Sequence, residues 1–136
     1  MSATASANEC AGRVALPGTL VWFEVPAENI QRAQQFYRSL FGWDFTRLPG
    51  GKEYWHMNTH SGGGSPDGGM MQKQCPQHTV TNYINVESVD ASLAKVAELG
   101  GKVVVPRTEV PGMGAFGICT DTENNTFGLW ETTPQA

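Results

Sequence analysis

The sequence has few charged residues, few cysteines and no long apolar run. Charged residues make up 16% of the 136 positions and the net charge is −4, so a basic surface for phosphate backbones is missing and we expect no nucleic-acid partner. No apolar run approaches the roughly 18 residues of a membrane-spanning helix, so we expect no membrane partner. The three cysteines are widely spaced and form no CxxC pair, which favours reduced thiols and a cytoplasmic protein.

The first 18 residues, MSATASANECAGRVALPG, lack the basic start and the apolar core of a signal peptide. They are rich in Ser and Ala and predict a flexible arm. The alternative is a short edge strand at 13-RVAL-16. We expect residues 19–133 to form a single domain, since the length suits one hydrophobic core.

Residues 19–73 predict a strand, a helix and about three further strands. The segment 19-TLVWFEV-25 is rich in β-branched and aromatic residues, as strands are. In 28-ENIQRAQQFYRSLFGW-43 the apolar residues recur at helical spacing, so Phe36, Tyr37 and Phe41 are expected to pack in the core. Further strands are predicted at 43–48, 52–59 and 70–73, with the glycine-rich 61-SGGGSPDGG-69 as a flexible loop or lid.

Residues 80–131 predict the same order of elements. The segment 80-VTNYINV-86 has strand character, and Ser88 is suited to cap the helix that follows it. The apolar side of this helix is formed by Val89, Leu93, Val96, Ala97 and Leu99. Gly100 and Gly101 end it, and strands are predicted at 102–106, 115–121 and 126–130. The chain therefore carries the same unit twice.

Two stretches, 22-WFEVPAENIQRAQQFYRSLFGW-43 and 83-YINVESVDASLAKVAELGGKV-103, together with 121-DTENNTFGLW-130, resemble the vicinal oxygen chelate superfamily. That superfamily contains glyoxalase I, bleomycin-resistance proteins, fosfomycin-resistance enzymes and extradiol dioxygenases. The first stretch carries the pattern formed by Ala33, Phe36, Tyr37, Phe41, Gly42 and Trp43. The resemblance implies an α+β fold in which two tandem βαβββ modules form a cupped, partly closed mixed sheet around a central cavity. It also implies a homodimer.

The resemblance further implies where a metal ion would be held. Metal-using members place His, Gln or Glu at the start of the first strand and late in the last strands of each module. These positions fall on Leu20 or Trp22, on Thr81 and on Gly128, while the fourth, within 66-PDGGMMQ-72, cannot be placed. Because divalent ions need nitrogen and oxygen donors, we expect no metal and no other cofactor.

Gly128 is expected to provide space in place of a ligand, enlarging the floor of the cavity beside Trp130. The nearby Glu131 does not replace the missing donor, since side chains of a strand alternate between its two faces. His56 and His60 are the alternative metal ligands. Four strand residues span about 13 Å, so these two share an ion only if the chain turns between them; otherwise they are solvated or hydrogen-bonded histidines.

Glu24 shares a strand face with Trp22, and by the resemblance it faces the cavity, where a carboxylate could act as a general base. The alternative is a carboxylate paired with Arg or Lys. A cavity with aromatic walls and few polar groups suits a small, partly apolar organic molecule. The residues predicted to bind such a ligand are Trp22, His56, Asn58, Thr81, Tyr83, Asn85, Gly128 and Trp130.

Three functions remain open from the sequence. The first is a metal-independent protein that binds a small aromatic or heterocyclic compound, as bleomycin-resistance relatives do. The second is a metal-independent lyase or isomerase that uses Glu24, with Tyr83 as a second group for proton transfer. The third is a metal-dependent lyase or dioxygenase with unusual ligands such as His56, His60 and Glu24.

Overall fold

The structure is a computed structural model that describes residues 16–133. The predicted arm and the alternative strand at 13–16 lie almost wholly outside this range. The elements in chain order are β1 (Leu20–Ala27), α1 (Ile30–Phe41), β2 (Asp44–Arg47), β3 (Tyr54–Asn58), β4 (Gly68–Gln72), β5 (Thr81–Asn85), α2 (Val89–Glu98), β6 (Lys102–Val110), β7 (Gly114–Thr120) and β8 (Thr126–Thr132). Within the described range, no helix has the length and apolar character needed to cross a membrane.

All eight strands belong to one mixed sheet in the order β2-β3-β4-β1-β5-β8-β7-β6. In each half of the chain the first strand pairs in parallel with the last, β1 with β4 and β5 with β8. The halves meet where β1 and β5 pair antiparallel. The predicted duplication is therefore confirmed as two βαβββ units that build one open α+β sheet.

Both helices pack on the same face of the sheet. Under α1 the core contains Met57 and Met70, which have no exposed surface. Under α2 it contains Cys119 and Leu129, packed against Val89 and other residues of the helix. We call the opposite side of the sheet the open face, and it carries every second residue of the strands.

The ends of α1 form as the sequence predicts, but its apolar face is wrongly predicted in part. Asn29 caps the start by accepting a hydrogen bond from the backbone of Arg32 at 2.9 Å, and Gly42 ends the helix in the left-handed conformation. Phe36 and Phe41 are 59% and 57% exposed, so the prediction that they pack in the core is wrong. The buried line of the helix runs through Ile30 and Gln34 instead, which turns Phe36 away from the sheet.

The second helix follows the prediction at its start and departs from it at its end. Ser88 caps α2 and Val89 and Leu93 are buried, whereas Leu99 is 68% exposed. The first backbone amide of α2, on Val89, also donates to the Glu131 carboxylate at 2.8 Å. Glu131 thus lies on the helix side of the sheet, as strand alternation predicts.

Candidate functional site

The first strand divides its residues between the two faces of the sheet. Phe23 and Val25 pack into the core under α1, so Trp22 and Glu24 project from the open face. The pairing with β5 sets Trp22 opposite Tyr83 and Glu24 opposite Thr81. Residues from the two halves of the chain therefore meet on the open face at the central pair of strands.

Glu24 is held by two tyrosine hydroxyl groups, one from each half of the chain. Tyr54 on β3 donates to Oε2 of Glu24 at 2.8 Å, and Tyr83 on β5 donates to Oε1 at 2.8 Å. The indole Nε1 of Trp22 in turn donates to the hydroxyl oxygen of Tyr54 at 2.9 Å. We call these four residues the carboxylate cluster. It is a connected polar network, which fixes the position of the carboxylate.

The two phenols of the carboxylate cluster stay protonated at physiological pH. Burial raises the pKa of Tyr54 and of Tyr83 well above its ordinary value, and the negative charge of Glu24 raises each pKa further. Both hydroxyl protons consequently remain available as donors to the carboxylate. The cluster thus presents an acceptor on Glu24 that is flanked by neutral donors.

Two glycines make room for the tyrosine rings. A Cβ atom built on Gly128 would overlap the ring of Tyr83, and one built on Gly69 would overlap the phenol end of Tyr54. The prediction that Gly128 enlarges a cavity is therefore wrong, because the ring of Tyr83 fills the space that a side chain would take. Gly69 on β4 pairs with Glu24 on β1, so Gly69 also lies on the open face.

The residues at the expected metal positions do not fit a metal ion. Trp22 and Thr81 offer no good donor, and Gly128 lies under the ring of Tyr83, which would block a longer side chain. Gly69, in the segment 66–72 where the fourth ligand could not be placed, lies in the same way under the ring of Tyr54. Nor do residues 16–133 contain any group of three or more His, Cys, Asp or Glu side chains arranged to hold an ion. The donor chemistry of the open face is that of one carboxylate and two phenols.

The two histidines bind different partners. His56 lies 2.9 Å from the carboxylate of Asp67, and His60 lies 2.7 Å from that of Asp44. His56 also packs edge to face against Trp22, with ring centroids 5.5 Å apart. Both histidines are therefore hydrogen-bonded to carboxylates and do not share a site. His56 lies beside the carboxylate cluster.

Asp67 fixes both His56 and the start of the loop after β3. Besides His56, it binds the backbone amide and the hydroxyl group of Thr59, at 3.0 and 3.1 Å. Burial alone would raise the pKa of Asp67, but the hydrogen bonds from Thr59 and the pairing with His56 outweigh it. The net effect is a pKa below the ordinary value of 3.8.

We expect Asp67→Asn to lower the free energy of unfolding at pH 7 by about 1–2 kcal/mol, because the amide keeps only part of the hydrogen bonding of the charged carboxylate. A carboxyl group whose pKa is lowered by folding contributes its full stabilisation at pH values above its pKa in the unfolded chain, which is near 4. The contribution is lost as the pH falls through the lower pKa of the folded state. The difference between wild type and variant should therefore shrink below about pH 4. Urea unfolding from pH 7 to pH 3 measures it, with Glu87→Gln at an exposed position before α2 as control. A difference that grows in acid would contradict this assignment.

The remaining predicted ligand-binding residues lie at varying distances from the carboxylate cluster along the sheet. Thr81 and Asn85 are buried on β5. Trp130 pairs with Asn85 and donates through its indole to the hydroxyl group of Thr132 at 2.9 Å. Asn58 is exposed at the end of β3, where its side chain accepts a hydrogen bond from the backbone of His60.

Tyr54 is the residue of the candidate site that the sequence analysis missed. It lies two positions before His56 on β3, so strand alternation places both on the same face. That parity was the available signal, since His56 was already a predicted binding residue. The long-range contact of Tyr54 with Glu24, 30 positions apart in the sequence, had no local signature.

Two surface clefts lie elsewhere. One of about 450 Å³ runs between the end of β1 and α1, past Arg32, Phe36 and Lys73. A second of about 310 Å³ adjoins it near Gln74 and Cys75. Glu24 lines neither of them, so the polar network and the clefts are separate features of the molecule.

Known proteins share both the sequence pattern and the fold of this chain. Residues 19–129 match the model of the Glyoxalase/Bleomycin resistance protein/Dioxygenase superfamily. CFP32 of Mycobacterium bovis, whose name suggests a glyoxylase, is 32% identical over 119 residues, which cover 84% of this chain and 46% of CFP32. A glyoxylase-like domain-containing protein of Didymella fabae is 32% identical over 124 residues, covering 84% of this chain and 94% of that protein.

The fold is also found in solved structures of low sequence identity. The methylmalonyl-CoA epimerase of Mycobacterium tuberculosis has a TM-score of 0.65 and 12% identity, covering 92% of this chain and 96% of the epimerase. This likeness concerns the fold alone. The chain spans about half the length of CFP32, so the activity of that whole protein does not transfer to it directly.

Proposed function

Since this chain belongs to the Glyoxalase/Bleomycin resistance protein/Dioxygenase superfamily, we propose that it binds a small, partly apolar organic molecule on its open face. The binding site is centred on the carboxylate cluster, and it works without the metal ion that other members use. The observation that carries the proposal is the arrangement of Glu24 between the hydroxyl groups of Tyr54 and Tyr83.

The chemistry of the open face supports a ligand with an apolar body and few polar groups. Aromatic rings from Trp22, Tyr54 and Tyr83 surround the carboxylate, and Phe116 adds a fourth ring, whose centroid is 6.4 Å from that of Tyr83. Such rings provide apolar contact area, while a few fixed polar atoms orient the ligand. The donor set of this face does not suit a divalent ion, which favours a metal-independent role.

The proposal includes a cytoplasmic homodimer that sequesters its ligand, as bleomycin-resistance proteins do. Phe36, Leu40 and Phe41 on α1 are each more than half exposed, and exposed apolar patches of this kind are typical of surfaces that another protein chain covers. Light scattering that gives the mass of one chain at micromolar concentration would contradict the dimer.

A second candidate function is proton transfer by Glu24, as in a metal-independent lyase or isomerase. The observation that favours it is the fixed carboxylate, since a general base must be held within hydrogen-bonding distance of its substrate. Glu24→Gln separates the two functions. An enzyme that uses Glu24 as its base turns over a substrate in the wild type and loses that turnover in the variant. A binding protein shows no turnover in either form, and only its affinity changes.

We expect the neutral probe naphthylmethanol to bind beside Trp22. The chain has four tryptophans, and Trp43 and Trp55 pack on the helix side of the sheet. In nitrogen–proton correlation spectra the indole signal of Trp22, assigned with Trp22→Phe, should shift saturably as the probe is added. The signals of Trp43 and Trp55 are internal controls and should stay in place.

The same titration in the presence of a chelator tests the metal independence of binding. The affinity for naphthylmethanol should not change when EDTA is added. A shift confined to Trp43 or Trp55 would place the binding site on the helix side of the sheet and would refute the proposal. Loss of binding in EDTA would refute its metal-free form.

A further inference from the structure

Among residues 16–133, no cationic side chain forms an ion pair with Glu24. Within residues 16–133, the ion pairs join His56 to Asp67, His60 to Asp44, and Arg107 to two glutamates of the second half. The partners of Glu24 are two neutral phenols. A partly buried carboxylate is usually paired with a positive charge in folded proteins, so this one is poised to receive a cation from outside.

The carboxylate of Glu24 still has acceptor capacity. Each carboxylate oxygen carries two lone pairs, so two tyrosine hydroxyl groups occupy about half of the roughly four acceptor positions. Each tyrosine binds a different oxygen of the carboxylate, so each oxygen keeps one free acceptor position. A protonated amine has several N–H donors and can use both of these positions at once.

The rings around Glu24 favour a cation that carries an apolar body. The faces of Trp and Tyr rings attract ammonium groups placed within about 6 Å of the ring centroid. Trp22 and Tyr54 are the partly exposed rings beside Glu24, and Phe116 extends the apolar surface on the β7 side. The net charge of −4 also favours the approach of a positively charged ligand.

We propose that the open face binds an organic ammonium compound, with its protonated amine against Glu24 and its apolar body against Trp22 and Phe116. This inference rests on the proposed function and names the chemical class of its ligand. The nearby His56 does not compete for Glu24, because its ring is bound to Asp67. The specificity of the site for a cation therefore resides in the single carboxylate of Glu24.

Three naphthalene probes of nearly equal shape test the inference. They are the cation naphthylmethylammonium, the neutral naphthylmethanol and the anion naphthoate, each titrated at pH 7 with the Trp22 indole signal as readout. We expect the cation to bind about tenfold more tightly than the alcohol, the gain of one charged contact with a ring and a carboxylate. Naphthoate should bind more weakly than the alcohol.

Glu24→Gln should abolish the preference, so that the variant binds the cation and the alcohol with equal affinity. The matched control is Glu98→Gln on α2, which removes the same charge on the helix side of the sheet. It should keep the tenfold preference, and unfolding curves confirm that both variants are folded. Equal binding of cation and alcohol to the wild type would overturn this inference and leave the proposed function intact. If no probe shifts the Trp22 signal, the proposed function itself is wrong.

Discussion

Gly128→Ala lowers the free energy of unfolding by about 2–3 kcal/mol, an unusually large effect for the addition of one methyl group. The new Cβ atom would overlap ring atoms of Tyr83 that lie close to its backbone. The ring cannot move aside without leaving its buried position, in which Tyr83 is 7% exposed. Displacing it also breaks the hydrogen bond to Glu24, which adds about 1 kcal/mol. Urea unfolding followed by circular dichroism measures the change.

Gly69→Ala is the matched comparison within the same site. Its Cβ atom would overlap the hydroxyl end of Tyr54, which is the far end of a flexible side chain. Tyr54 can swing outward at smaller cost, so we expect a loss of about 1 kcal/mol, the value of a hydrogen bond. The shift of Tyr54 should be visible in the Trp22 indole signal, because the indole donates to its hydroxyl group.

A double-mutant cycle identifies the cause of the Gly128→Ala effect. In the background of Tyr83→Ala the ring is gone, so the added methyl group at position 128 should cost less than about 0.5 kcal/mol. The coupling energy between the two positions is then nearly as large as the effect of Gly128→Ala alone. A Gly128→Ala protein as stable as the wild type would show that the ring does not occupy this space.

Most of the fold could be predicted because its signals are local. Strand and helix periods, the cap residues Asn29 and Ser88, and the glycine after α1 mark the elements within a few positions of the observed ends. Phe36 shows where local signals fail. Its spacing of three from Ala33 and four from Leu40 fits an apolar face. The side of α1 that meets the sheet is decided by how the helix crosses the strands, and that crossing depends on residues far along the chain.

The candidate site could be predicted in part for the same reason. Alternation along β1 and β5 placed Glu24, Trp22 and Tyr83 on one face. Tyr54 was not predicted, because β3 is not a neighbour of β1 in the sheet. The strand β4 lies between them, and the sequence does not show that order. Gly128 was recognised as a missing donor, yet a glycine does not reveal which side chain takes its space.

The open face carries a carboxylate held by two tyrosines where the resemblance implies a metal centre. Gly128, where the resemblance implies a metal ligand, accepts the ring of Tyr83. Gly69, within the segment 66–72 where no ligand could be placed, accepts the ring of Tyr54, and both rings direct their hydroxyl groups to Glu24. A metal ion would bring positive charge to this face, whereas the carboxylate cluster leaves a negative charge on Glu24. The glycines and the carboxylate therefore belong to one arrangement, which suits cations carried by a ligand.

Glu24→Ala should lower the free energy of unfolding by about 2–4 kcal/mol, since it leaves two tyrosine hydroxyl groups without their acceptor. Each buried unsatisfied donor costs about 1–3 kcal/mol, and Tyr83 is nearly inaccessible to replacement water. Glu24→Gln should cost less, about 1 kcal/mol, because its amide oxygen still accepts one hydrogen bond. Burial keeps each tyrosine pKa high in both variants, and loss of the Glu24 charge lowers each pKa from its wild-type value.

Removing the stranded hydroxyl groups tests this explanation directly. Adding Tyr54→Phe and Tyr83→Phe to Glu24→Ala should restore about half of the lost stability, because the two stranded hydroxyl groups are removed. Recovery is incomplete, because the Trp22 indole loses the Tyr54 hydroxyl group as its acceptor. The same two substitutions in the wild type should destabilise it, since they take both neutral donors from a partly buried carboxylate. If Phe at these positions has the same effect with and without Glu24, the tyrosines and the carboxylate act independently, and the carboxylate cluster is not the unit that we describe.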